Sequence, residues 1–285
     1  MTLLLTIVAS WGIYALLGMG IVIVYRTSRV LNIAGGELAV FVGYVVATSI
    51  AQGLPFAAGL AVGALSAAAL GFVVFLALFR RLMGEAPHVG LMVTVGLATF
   101  VNGVIVIVFG GGMTAVQTGF AGFVNVAGAR LAVPDLVAAC GAWLGIGAIA
   151  LAYRLTNLGL QMRAVAERVM LSAQRGVNFD RIVALSWVIG LLALGLAGSL
   201  HGARAFVAVS AAVIGIGALL ACLIGGMDSL KGVVVGAFIV SVAETLTAVY
   251  VDPRYVLLVP VGILLAVLAV RPWGLFGTVE EFRRV

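Results

Sequence analysis

The sequence predicts an all-α fold, a polytopic bundle of transmembrane helices forming one domain over residues 1–285. Three observations point there. The chain is 64% hydrophobic and 9% charged, with a mean hydropathy of +1.28. A soluble domain carries roughly 25% charged residues, so this chain has too few to clothe a surface facing water, and lipid must be its main solvent. Apolar stretches long enough to cross a hydrocarbon core, about 20 residues each, recur along the whole length. The basic residues are confined to short segments between those stretches and divide unequally between the two sides of the membrane.

Nine stretches qualify, at 3–25, 33–52, 56–79, 89–110, 132–153, 183–201, 205–224, 232–250 and 255–271, so the bundle should hold about eight to ten spans. The first begins at Met1–Leu5, which has neither a basic leader nor a small-residue cleavage site and reads as the start of a retained helix. The second opens with Ile33-Ala34-Gly35-Gly36-Glu37, and its paired glycines predict a broken or re-entrant helix near 33–52. Several spans carry glycines four apart: Gly59/Gly63, Gly141/Gly145, Gly198/Gly202 and Gly232/Gly236. Each pair is a candidate close crossing, because lipid tails supply no hydrophobic drive between helices and small residues let backbones approach.

Charge orients the bundle. Segments on one side hold Arg26, Arg29, Arg80, Arg81, Arg154, Arg163, Arg168, Arg175, Arg181, Lys231, Arg271, Arg283 and Arg284, and the other side holds Arg130, Arg204 and Arg254. That is 13 against 3 of the 16 basic residues, which places the N-terminus outside and the C-terminus in the cytoplasm. The net charge of +6 therefore reports topology, and no nucleic-acid partner is expected.

The longest polar segment, 154–181, is ordered by helical periodicity. On a helix over 160–175, Met162, Val165, Ala166, Val169 and Ala173 form one apolar stripe. Arg163, Glu167, Arg168, Gln174 and Arg175 occupy the opposite arc, and Gly176 supplies the helix stop. Leu160 and Leu171 stand among those charges. From the residues alone this face suits either a docking surface or a helix lying in the lipid interface.

Glu37 and Glu244 fall inside apolar stretches, where a carboxylate must find a partner or face the interior. A helix starting at Gly35-Gly36 would stabilise Glu37 through its dipole. Glu244 is either a pathway or subunit-contact residue or a carboxyl hydrogen-bonded to a neighbouring helix. His88 and His201 lack partners at ligand spacing, and Cys140 and Cys222 read as packing residues, so no metal or cofactor is expected. The segment Gly225-Gly226-Met227-Asp228-Ser229-Leu230-Lys231-Gly232 departs from a phosphate-binding loop at Leu230 and Gly232. HExxH, CxxC and GxSxG are absent. The chain is therefore read as a non-enzyme, and any ATP that drives it must bind elsewhere. A self-contained secondary transporter or channel using Glu37 and Glu244, or a membrane scaffold, stands as the alternative.

Three ordered stretches carry a resemblance: Tyr14-Ala15-Leu16 with Val24-Tyr25 and Leu31-Asn32-Ile33-Ala34-Gly35-Gly36-Glu37; Arg163-Ala164-Val165-Ala166 with Gly176-Val177-Asn178; and Leu223-Ile224-Gly225-Gly226-Met227-Asp228-Ser229 with Gly232, Gly236 and Ala243-Glu244. Together they resemble the branched-chain amino acid ABC transporter permease family, in its shorter, LivH-like branch. Where that family's first motif has Phe and His, this chain has Ile33 and a glycine of the Gly35-Gly36 pair, which opens the choice of solute. The resemblance implies a permease subunit in a bacterial inner membrane, importing a branched-chain amino acid or a related small polar solute. It also implies a second permease subunit, homologous or identical, two cytoplasmic ATPase subunits and an extracytoplasmic solute-binding protein. Asn32, Gly35, Gly36, Glu37 and Glu244 are then expected along the substrate path. The 160–175 helix becomes a coupling element that presents Arg163, Glu167, Arg168, Leu171, Arg175 and Gly176 to an ATPase.

Overall fold

A computed structural model describes residues 2–82, 85–119, 122–126, 129–167 and 169–278. The expected spans appear as α1 (Thr2–Ser28), α2 (Gly35–Ala51), α3 (Phe56–Val74, continued by a π turn over Phe75–Phe79), α4 (Pro87–Phe109), α5 (Val133–Leu155), α8 (Phe179–Arg204), α9 (Ile214–Gly225), α10 (Leu230–Tyr250) and α11 (Leu258–Val270). The polar segment 154–181 folds as α6 (Asn157–Glu167) and α7 (Val169–Gln174), followed by the start of α8. Among the described residues seven helices are long and apolar enough to cross a membrane, and two apolar segments, Gly35–Ala51 and Val209–Gly225, are shorter. The chain is thus a multi-pass membrane protein.

The two short segments differ in kind. The 33–52 stretch is one continuous helix from Gly35 onward, and the interruption lies before it, at 29–34. Arg29 ends α1 in the left-handed region at φ 55°, and its amide donates to the Tyr25 carbonyl at 2.8 Å. The irregular backbone in the second half belongs to 205–213 instead: an extended piece bridged to Thr114 through Val207, then a 3-10 turn over Val209–Val213, then the 12 residues of α9. The sequence reading of 205–224 as a full span is corrected here, because 12 helical residues rise about 18 Å. A second departure from an all-helical chain is the antiparallel hairpin of β1 (Phe123–Val126) and β2 (Ala129–Ala132) between α4 and α5.

Burial is concentrated in α1 and α8, the most enclosed of the spans. Each of the four anticipated glycine pairs lies at a crossing: Gly59 and Gly63 against Ile50 and Val46 of α2, Gly141 and Gly145 against Leu200 and Leu196 of α8, Gly198 against the Ala39 backbone with Gly202 against Val207, and Gly232 and Gly236 against the α9 backbone at Gly225 and Ala221. At several seams glycine meets glycine, among them Gly20 of α1 with Gly190 of α8 and Gly36 of α2 with Gly215 of α9. Aromatic rings lock the remaining seams. Trp187 of α8 stacks on Phe79 of α3 at 4.2 Å, and Tyr44 of α2 stacks on Phe109 of α4 at 5.2 Å while donating to the Gly112 carbonyl at 2.7 Å.

Side-chain and backbone hydrogen bonds tie α1 to α10. Trp11 donates to the Val234 carbonyl at 2.7 Å and Ser241 to the Ile7 carbonyl at 2.8 Å. The tail after α11 closes the end of α9: the amides of Leu275 and Phe276 donate at 2.9 Å to the carbonyls of Ile224 and Gly225, which have no intrahelical partner. Gly226, at φ 106°, makes the turn between α9 and α10 there.

These contacts separate buried from lipid-facing glycines. A Cβ at Gly198 would run into the Ala39 backbone, whereas one at Gly103 on α4 meets nothing within 4 Å. Gly198→Ala should cost about 1–3 kcal/mol through overpacking. Gly103→Ala should be neutral or stabilising by up to about 1 kcal/mol, the helix preference of Ala over Gly. Thermal unfolding of the two variants in detergent checks this, and equal melting temperatures would contradict the α2–α8 crossing.

Candidate functional site

α2 and α9 both begin inside the bundle, not at its surface. Gly35 opens α2 against Ile21 of α1 and Leu194 of α8, residues well inside their own helices. A Cβ at Gly36 would fall on the Ala212 carbonyl and the Gly215 backbone, and one at Gly215 would fall on the Gly36 backbone. The N-terminal turns of two short helices therefore meet at these glycines. Ala34 precedes α2 without a side-chain cap, whereas α9 continues directly from the 3-10 turn, its Ile214 amide donating to the Ala211 carbonyl. Helix N-termini present free N–H groups and the positive end of the dipole, and at membrane depth that geometry suits an anionic group on a solute.

Asn32 lies in the irregular segment leading into α2. Its side chain is 1% exposed, and neither the amide oxygen nor the amide nitrogen has a hydrogen-bond partner. A buried polar group left unpaired costs about 1–3 kcal/mol, which singles out this amide among the groups near the junction. The neighbouring Leu31 carbonyl accepts from Thr94 of α4 at 3.0 Å, which fixes the segment. Glu37 sits half-buried in the first turn of α2, as the Gly35-Gly36 start predicted. Directly beside Asn32, Leu31 forms part of the wall of a cavity of about 610 Å³ that opens at the basic end between Tyr25, His88, Leu223, Asp228 and Trp273.

Glu244 is placed on the other flank of α9. Its carboxylate accepts from the Tyr14 hydroxyl at 2.6 Å, and the Tyr14 ring rests on Gly217, two residues beyond Gly215. Asn32, Gly35, Gly36 and Glu37 are thus gathered at one junction, while Glu244 lies across the first turn of α9 with a partner of its own. At the opposite end of the bundle from the basic residues, Arg204 donates to Asp135 at 2.8 Å and to Ser10 at 2.6 Å. Ser10 is one helical turn from Tyr14, so a polar seam runs through α5, α8, α1 and α10. The sequence reading placed Tyr14 in a motif but missed its bond to Glu244 and this seam. Its members are up to 230 positions apart, and periodicity along one helix carries no trace of them.

The described residues of the 157–176 segment are sorted largely as helical periodicity predicts. Met162 and Val165 are buried, and Leu160 and Leu171 are exposed at 58% and 49%. Gly176 takes φ 80° and ends the segment. Glu167 and Arg175 are exposed, and Arg168, expected to flank Leu171, lies outside the described residues. Arg163 departs from the outward arc: its guanidinium donates back to the Tyr153 carbonyl and sits 5.4 Å from the Tyr153 ring. Attraction to the ring face and a free carbonyl at the end of α5 outweigh the weak Arg163–Glu167 pairing expected along the helix.

The profile of the family described as branched-chain amino acid transport system / permease component matches residues 3–268. The high-affinity branched-chain amino acid transport system permease protein LivH of Salmonella typhimurium is 28% identical, over 94% of this chain and 92% of its own length. The Escherichia coli K12 protein of the same name is 27% identical over the same shares. The corresponding BraD of Pseudomonas aeruginosa is 26% identical over 94% of this chain and 92% of its own. No solved structure matches significantly.

The Tyr14–Glu244 bond predicts a pattern of stabilities. Glu244→Gln keeps an acceptor for Tyr14 and should melt near the parent, whereas Glu244→Leu strands a buried hydroxyl and should lose about 1–3 kcal/mol. The double variant Tyr14→Phe/Glu244→Leu should lose less than the sum of its single changes. Melting curves in detergent decide, and a Leu variant at least as stable as the Gln variant would contradict the bond.

Proposed function

This chain belongs to the family of branched-chain amino acid transport system permease components, and from that premise we propose that it is the membrane subunit of an ATP-driven importer, giving passage to a branched-chain amino acid or a related small polar solute. The observation that carries this reading is the meeting of the α2 N-terminus with the first turn of α9 at Gly36 and Gly215, beside the unpartnered amide of Asn32. An amino acid at neutral pH carries a carboxylate and an ammonium group. The helix ends and the Asn32 amide are suited to the carboxylate, and Glu37, in the same turn of α2, is suited to the ammonium. Glycine at Gly35 and Gly36 lets backbone N–H groups approach the solute without side-chain screening. The cavity at the basic end is the route by which solute leaves this junction. The basic asymmetry turns that end to the cytoplasm, with the N-terminus outside.

Energy comes from two ATPase subunits on the cytoplasmic side, with a second permease subunit beside this one and a solute-binding protein delivering from outside, in the inner membrane of a bacterium. α6 and α7 are the contact with an ATPase, anchored by the exposed Leu171. Helix-in-groove contacts rest on one or two apolar anchors, while rim charges such as Arg175 steer the encounter. The hydrogen bond from Tyr14 to Glu244 favours a structural role for that carboxylate over ion coupling in a self-contained carrier.

Two variants test this reading. Asn32 has no partner to lose, so Asn32→Leu should melt at or above the parent temperature while uptake of labelled leucine falls at least about tenfold in cells carrying the full transporter. Unchanged uptake would remove Asn32 from the path. Leu171→Asp should weaken co-purification of the ATPase subunits by about 2 kcal/mol or more, the scale of a lost hot spot, and leave the melting curve of the permease unchanged. Full ATPase retention would show that this face does not dock.

A further inference from the structure

At the basic end a cavity of about 490 Å³ is walled by Arg26 of α1, Tyr153 and Arg154 of α5, Arg163 of α6, and Asp228 and Lys231 at the start of α10. A second cavity of about 300 Å³ lies against it, walled by Ile23, Ala148, Ile149, Ala152, Leu158 and Ile189, and Tyr153 belongs to both. The two differ sharply in chemistry. One gathers four cations, and the other is lined almost wholly by carbon.

We propose that this pair of cavities is a binding site for an anionic phospholipid, with its phosphate among Arg26, Arg154, Arg163 and Lys231 and an acyl chain in the apolar groove beside Tyr153. Two of the cations are held at the cavity wall by a ring. Guanidinium groups of Arg26 and Arg163 lie 5.6 and 5.4 Å from the centre of the same Tyr153 ring. Among the described residues none of the four cations is ion-paired. Asp228, the acid in the wall, is engaged by the Thr278 hydroxyl. Lys and Arg at a helix end ordinarily snorkel outward to water, as Arg154 and Lys231 do at the rim, whereas Arg26 and Arg163 meet over one ring, and an anion there would relieve their repulsion. The Tyr153 hydroxyl points the same way: it is buried and has no hydrogen-bond partner. Basic pockets between helices at the cytoplasmic side of a membrane are the physical form of a phospholipid headgroup site, and an aromatic ring at the boundary of charge and hydrocarbon matches the interfacial belt. Free phosphate would satisfy the charges and leave the groove empty, whereas a phospholipid fills both.

This site rests on the membrane embedding of the bundle and not on the transport reading, and it shares no residue with the α2–α9 junction. Occupancy would brace α6 against α1 and α5, because Arg163 carries α6 to the Tyr153 ring.

The test uses the full chain, delipidated in detergent, titrated with phosphatidylglycerol, phosphatidylcholine or inorganic phosphate and followed by native mass spectrometry and thermal unfolding. Phosphatidylglycerol should bind one to one and raise the melting temperature, with the other two at least tenfold weaker. Arg154→Gln/Lys231→Gln removes two exposed charges and should weaken phosphatidylglycerol about 25-fold, about fivefold per charge, without changing the melting temperature of the lipid-free protein. Ala148→Trp, which fills the groove, should weaken phosphatidylglycerol and leave any response to phosphate intact, and Arg26→Gln repeats the charge test should either variant fold poorly. Equal effects of phosphatidylcholine would show that the charges are not read. Equal effects of phosphate would show an anion pocket without lipid. Unchanged phosphatidylglycerol affinity in the charge variants would place the lipid elsewhere. Each of these three results overturns the proposal.

Discussion

Gly20 of α1 and Gly190 of α8 touch backbone to backbone, so that a Cβ on either would strike the carbonyl of the other. In a bilayer the hydrophobic effect does not draw two apolar helices together, and close packing with interhelical hydrogen bonds must supply the attraction. This crossing places α1 and α8 at the centre. Around it α8 takes up α2 and α3 through Gly198, Gly195, Gly71 and Trp187, and α1 takes up α9 and α10 through Gly18, Trp11 and Tyr14. The outer helices α4 and α11 complete the bundle and keep most of their surface for lipid.

The same packing allows irregular backbone at depth. Non-helical segments survive inside a membrane where protein or water surrounds them. Residues 29–34 and 205–213 are such segments, and each leads into a short helix whose first turn carries glycine. The Gly36–Gly215 contact makes the two first turns one site, and the Tyr14–Glu244 bond closes the far side of α9. Glu244, the carboxylate within an apolar span, thus has a phenol as its partner, whereas the neutral amide of Asn32 beside the junction is left without one.

Much of this was legible in the residues, for identifiable reasons. Spans are readable because lipid requires continuous apolar length. The glycine pairs at spacing four fall on crossings because each helix turn returns to the same face. The buried Met162 and Val165 and the exposed Leu160 and Leu171 follow from helical periodicity. Arg163 was misplaced because periodicity assigns a side chain to an arc but does not know that a ring and a carbonyl from α5 wait within reach of a long, flexible cation. The shortness of α9 was hidden because 205–224 is apolar throughout, and hydropathy is blind to whether apolar backbone is coiled.

The sequence by itself determined the solvent, the number and order of the apolar segments and the family, since each depends on composition or on neighbours a few residues apart. Tertiary structure alone decided which glycines face one another across 170 or more positions, which carboxylate is paired, where the two short helices start inside the bundle and where two guanidinium groups meet over one tyrosine ring. Those are properties of distance between remote residues, and remote residues meet only after the helices have packed.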